Sequence, residues 1–167
     1  MKIAICYFSA TGRTKSMAEA IAEGVKAQAP DCDVRTLHID EVNKDHPDNV
    51  AFVNEADGIL FGTPDYYAAE AWQMKAWLDQ CPCKLTGKLA GAFATANFGV
   101  GAPDVAIEHI LTHLLVRGTM VYSGGTAHGQ PFVHLGPICI AGHEDEGAKL
   151  MKVFGQRFAE QTAKVNG

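Results

Sequence analysis

The apolar positions of this chain follow two alternating rhythms. Short, almost wholly apolar runs are separated by longer stretches in which apolar residues recur every three or four positions. The first rhythm predicts strands covered on both faces, the second amphipathic helices. Strands are expected at 2–8, 33–39, 57–63, 88–96 and 119–123. Helices are expected at 14–29, 48–56, 69–81, about 103–117 and about 144–165. Met17, Ile21 and Val25 mark the inward face of the first helix, and Met151, Phe154, Phe158 and Val165 that of the last. Pro103 suits the first turn of the fourth helix, where an N–H would be unpaired in any case. The glycine- and proline-rich stretch 124–142 has no period and reads as a long loop.

Strict alternation of strands and helices implies an α/β fold. The strands lie parallel, the crossovers are right-handed, and helices cover both faces of a five-stranded sheet. No repeat, low-complexity run or linker interrupts the pattern, so residues 1–167 read as a single domain. Ligands of such sheets sit beyond the carboxyl ends of the strands, where the strand order reverses. The loops to inspect are therefore 9–14, 63–70, 96–102 and 124–142.

Composition removes several classes of function. The 167 residues are 47% hydrophobic and 20% charged, which excludes a disordered chain. Fourteen Lys+Arg against nineteen Asp+Glu leave a net charge of −5, and no basic stripe suggests a nucleic-acid partner. No run approaches the ~18 apolar residues of a membrane span. Five scattered cysteines and a start that enters a strand at once fit a reduced, cytoplasmic protein. Cys81-Pro82-Cys83 lacks a second ligand pair. His109 and His113, one helical turn apart, lack a third ligand, so no metal site is expected.

The chemistry lies in the loops. Ser9-Ala10-Thr11-Gly12-Arg13-Thr14 joins the first strand to the first helix. A helix N-terminus offers unpaired N–H groups and a positive dipole end, which suits a phosphate. The loop adds hydroxyls, and a capping role alone would not need all three. It lacks the lysine of a triphosphate loop and the glycine spacing of a dinucleotide loop, so a terminal monophosphate is the expected ligand. Tyr66, Tyr67 and Phe98 can offer flat apolar faces to an aromatic ligand, with Thr63 and Asn97 able to reach its polar edge.

The S-x-T-G-x-T loop resembles the phosphate loop of flavodoxin-fold, FMN-binding proteins. Gly62-Thr63-Pro64-Asp65-Tyr66-Tyr67, followed by Ala71-Trp72-Gln73-Met74-Lys75-Ala76-Trp77-Leu78-Asp79, is similar to the WrbA-type NAD(P)H:quinone oxidoreductases. Gly124-Gly125-Thr126 and Ile140-Ala141-Gly142 match later segments of that family loosely. The resemblance implies a flavodoxin-like three-layer sandwich with strand order 2-1-3-4-5. It implies FMN as cofactor, NAD(P)H as co-substrate, and a homodimer or homotetramer. The implied cofactor-binding residues are Ser9, Ala10, Thr11, Gly12, Arg13 and Thr14 for the phosphate. Thr63, Pro64, Asp65, Tyr66, Tyr67 and Ala68 would serve the ring from one side. Ala96, Asn97, Phe98, Gly99 and Gly101 would serve it from the other. His128 is placed by the resemblance near the flavin's N1–C2 edge, where it would stabilise negative charge. Two departures stand out. Ala68-Ala69 replace a position where the family commonly has glycine, and Asn97-Phe98 replace a histidine often found on the nicotinamide side.

The function expected first is that of an FMN-dependent NAD(P)H:quinone reductase, with hydride transfer through flavin N5. The alternative is a flavodoxin-type electron carrier without a substrate of its own, whose partner is a redox protein. A non-redox domain binding a phosphorylated small molecule is a third reading.

Overall fold

The computed structural model describes residues 1–40 and 46–167. In chain order the elements are β1 (Lys2–Tyr7), α1 (Arg13–Gln28), β2 (Asp33–His38), α2 (Pro47–Glu55), β3 (Gly58–Pro64) and α3 (Trp72–Gln80). They continue with β4 (Leu89–Ala96), α4 (Pro103–Val116), β5 (Met120–Val121), β6 (Ile138–Ile140) and α5 (Glu144–Asn166). The strands pair in parallel in the order β2-β1-β3-β4-β5, the order the resemblance implied.

One strand was not foreseen. β5 pairs with Leu89 and Ala90 at the start of β4, and β6 pairs with Ala94–Ala96 at its end. The outer edge is thus filled twice by one chain, which leaves the sheet after Val121 and returns at Ile138. Period analysis cannot find a three-residue strand flanked by Pro137 and Gly142. The expected strand 119–123 is correspondingly cut to two residues.

The sheet is apolar on both sides because both sides are covered. Phe61 of β3 faces a layer made by α2, α3 and α4, where Phe52, Met74, Trp77, Ile107, Ile110 and Leu114 are buried. Phe93 of β4 faces the opposite layer of α1 and α5, with Met17, Ile21, Met151, Phe154 and Phe158. Each fully buried side chain of this size stabilises the fold by about 1.5–3 kcal/mol. The α1–α5 pair is held at backbone contact. A Cβ on Gly24 would lie 2.0 Å from the carbonyl oxygen of Lys152, and one on Gly155 would lie 2.2 Å from that of Ile21. Only glycine fits at these two crossings.

The third helix starts later than its period suggested. Residues 69–71 belong to the loop after β3, where Asp65 and Glu70 form an antiparallel bridge. Ala71 donates its N–H to Thr63 Oγ1 at 2.8 Å, which holds the chain outside the helix until Trp72.

Candidate functional site

Three loops meet at the carboxyl ends of β1, β3 and β4. They enclose a cavity of about 100 Å³ lined by Ala10, Thr11, Arg13, Thr14, Pro64, Asp65, Tyr66, Thr95, Ala96 and Asn97. All but Thr95 were expected from the sequence. Thr95 is the one polar side chain in the buried run of β4, and that is the signal by which it could have been found. Its hydroxyl lies 2.9 Å from that of Thr14, and both residues are buried.

The first loop is shaped by Gly12, which caps α1 with φ of 99°, a left-handed conformation that favours glycine. Its N–H donates to Ser9 Oγ at 3.1 Å, which folds the loop back on itself. His38, at the end of β2, supports the loop from behind. Its Nδ1 lies 3.0 Å from Asp40 Oδ2, and its Nε2 accepts the Ser9 N–H at 3.2 Å. Sequence reading missed His38, because the pairing of β2 with β1 is what brings it there. Arg13 ties three elements together. Its Nη1 donates to Asn97 Oδ1 at 3.1 Å and its Nε to Glu144 Oε1 at 3.0 Å. Backbone N–H groups at Glu144 and Gly142, aided by Arg13, hold the Glu144 carboxyl below its ordinary range.

The loop after β3 is a tight turn. Tyr66 and Ala69 exchange backbone bonds of 2.9 and 3.2 Å. Between them Tyr67 and Ala68 sit at φ of 55° and 61°, left-handed and non-glycine. Such residues are strained, and strained residues cluster at binding sites. Glu70, buried, accepts from His109 Nδ1 at 2.9 Å, pinning the turn to α4. Asp65 Oδ1 is buried with no hydrogen-bond partner among the described residues. Burial pushes the Asp65 carboxyl up, with Ala68 and Ala69 N–H groups opposing.

Not every expected residue reaches the cavity. Thr63 is fully buried, and its hydroxyl serves Pro64 O and Ala71 N, so it supports the turn instead of facing a ligand. Tyr67 and Phe98 stand exposed at the rim, at 103% and 73%. Gly99 lines a cleft on the sheet edge, beside β6.

His128 is not brought to the site. Its Nε2 bonds Tyr122 OH at 3.1 Å, and Tyr122 N–H bonds Ala90 O at the start of β4. The cavity lies at Ala96, six residues or roughly 20 Å further along the strand. The loop 122–137 begins at the amino end of the sheet, and His128 is held there, away from the cavity.

The donor set suits FMN. Helix N–H groups, hydroxyls and a guanidinium meet where a phosphate would lie. An unpartnered buried carboxylate oxygen and an amide face the same cavity, and aromatic rings border it. Fold and site together define a flavodoxin-fold FMN flavoprotein. Residues 1–130 match the family described as NADPH-dependent FMN reductase, and the chain belongs to that family. It is 44% identical over 166 residues to a flavodoxin of Clostridium saccharobutylicum, with 99% of each chain covered. It is 25% identical over 199 residues to an NAD(P)H dehydrogenase (quinone) of Gluconacetobacter diazotrophicus, covering 99% of this chain and 98% of the other. A solved flavodoxin, WrbA-like protein from Agrobacterium tumefaciens shares the fold with a TM-score of 0.80 at 21% identity, covering 98% of both.

Proposed function

We propose that this chain is an electron-transfer flavoprotein that exchanges electrons with protein partners. The observation that carries this reading is the rim of the site. Tyr67, Phe98, Val100 and Trp72, on or beside the two ring loops, are large apolar side chains left in water. Exposed apolar groups gathered around a polar cavity mark a recognition surface. The 44% identity to a flavodoxin over almost the whole of both chains supports the same reading.

FMN, when bound, supplies the redox chemistry. The chain's residues bind and orient it. The N-terminus of α1, Ser9, Thr11 and Arg13 would hold the phosphate. Asp65 Oδ1 would accept a ring N–H, and Asn97 would meet the polar edge. Tyr66, Tyr67 and Phe98 would cover the ring and exclude water from it. The Thr14–Thr95 pair fixes the distance between the first loop and β4.

Anaerobic mixing with NADH and with NADPH tests this. The FMN-loaded protein is expected to keep its oxidised-flavin absorbance with both and to lose it with dithionite. Bleaching within seconds overturns the carrier reading. It would favour the second reading, an NAD(P)H:quinone reductase, which the end-to-end match to a quinone dehydrogenase supports.

A further inference from the structure

The outer edge of the sheet is open beside the ring loops. β6 pairs with β4 and, among the described residues, with no strand on its other side. In a parallel ladder alternate residues point their backbone groups to opposite sides. Cys139 lies opposite Thr95 within the β4 ladder, so the N–H groups of Ile138 and Ile140 face outward.

The two helical layers extend past this edge and turn it into a trough. Pro103 and Asp104 of α4 form one wall, and Gly147 and Leu150 of α5 form the other. The trough consists of two adjoining clefts of about 540 and about 490 Å³, which share Gly99, Ile138, Ile140 and Leu150. Leu135 and Phe132 extend its apolar lining and are 39% and 52% exposed. Its charged lining is acidic. Asp104 and Glu146 are present, Glu146 lying 3.1 Å from His143, and among the described residues no Lys or Arg lines either cleft.

We propose that a redox partner protein docks here by laying an extended segment of apolar and basic residues along β6 as an additional strand. This rests on the reading of the chain as a carrier between proteins. The His143 N–H already occupies the Ile140 carbonyl at 3.0 Å, so main-chain bonds to the N–H groups of Ile138 and Ile140 and to the Ile138 carbonyl supply affinity, and pockets for alternate side chains supply selectivity. Ile138 packs toward the α4 layer, Cys139 is buried against the α5 layer, and strand alternation puts Ile140 on the face of Ile138. The carboxylates favour Lys or Arg at the ends of the segment. Gly99 follows Phe98 directly, so a segment in the trough brings its parent protein to the rim of the site.

The test uses FMN-loaded, 15N-labelled protein and the peptide acetyl-Lys-Ile-Thr-Val-Thr-Lys-amide. Saturable shifts of the Ile138 and Ile140 amides are expected. They should be absent with a peptide in which the valine is replaced by proline. Asp104→Asn with Glu146→Gln should weaken peptide binding about tenfold and leave FMN affinity unchanged. No saturable shift at β6, or equal binding of the proline peptide, overturns the proposal. Shifts at these amides on concentrating the protein alone would make a second copy the occupant and also overturn it. So would shifts caused by 1,4-naphthoquinone but not by the peptide. Peptide binding is read on oxidised protein, independently of nicotinamide. Bleaching by NAD(P)H with peptide binding intact removes the carrier reading alone, and a yellow protein that ignores the peptide removes the trough alone.

Discussion

The layer of α1 and α5 and the loops at the carboxyl end of the sheet are built on opposite principles. The layer is apolar, tightly crossed and closed to water, with Gly24 and Gly155 at backbone contact. The loops are polar, partly strained and open, with exposed Tyr67 and Phe98 and a buried carboxylate oxygen left unpaired. Beyond the first turn of α1, whose Arg13 and Thr14 line the cavity, the layer contributes stability and lines no part of the site. The loops present polar groups to the cavity at some expense of stability, and they can do so because the layer fixes the strands that carry them. A change in the layer should therefore show as unfolding, and a change in the loops as altered FMN binding.

Gly155→Val is the largest expected effect. Its Cβ would enter the space of the Ile21 carbonyl, and the two helices must separate. A loss of about 3 kcal/mol or more is expected in urea denaturation. A near-neutral result would mean the crossing is loose, and the contrast between the regions would collapse. Thr11→Ala should do the reverse. Loss of a hydroxyl bond to a charged phosphate weakens FMN binding by about 1.5–3 kcal/mol, with urea stability of the FMN-free protein unchanged. Equal FMN affinity, measured by flavin fluorescence quenching, would remove Thr11 from the site.

Ala68→Gly sharpens the point about strain. A left-handed alanine is unfavourable, so glycine should stabilise the FMN-free protein by about 0.5–1 kcal/mol. A destabilised variant would show that the turn is not under strain. The smallest effect concerns pH and belongs to the scaffold. His113, on α4, has Nδ1 3.8 Å from Asp79 of α3, and its Nε2 is buried without a partner. Burial pushes the His113 imidazole below its ordinary pKa of 6.5. The fold then prefers the neutral ring, and the unfolded chain takes up the proton first. This share of stability is present above pH 6.5 and is lost as pH falls through that value toward the lowered pKa. His113→Leu should lose less stability than the parent between pH 7 and 5. Parallel pH profiles would show that His113 does not contribute.

Most of the fold was legible because burial writes itself into local spacing. Runs such as 58–62 and 89–94 can be apolar throughout only if both faces are covered. The first loop was legible as a strand–helix junction because its hydroxyls and glycine interrupt the apolar run before the helical period begins. The misses share a cause. β6 is too short to carry a period, and α3 was delayed by a bond between Thr63 and Ala71 that no helical pattern encodes. The placement of His128 followed a resemblance along the chain, whereas its position depends on which end of β4 the loop leaves.

The chain by itself determined the alternation of elements, the inward faces of the helices and the junction loop that suits a phosphate. Each depends on residues within a turn or two of one another. Tertiary structure alone decided that Thr95 meets Thr14, that His38 backs Ser9, that Glu70 is pinned by His109, and that β6 leaves an open trough. Those contacts join residues tens of positions apart. Their partners are set by strand register and helix packing, which exist only once the sheet has formed.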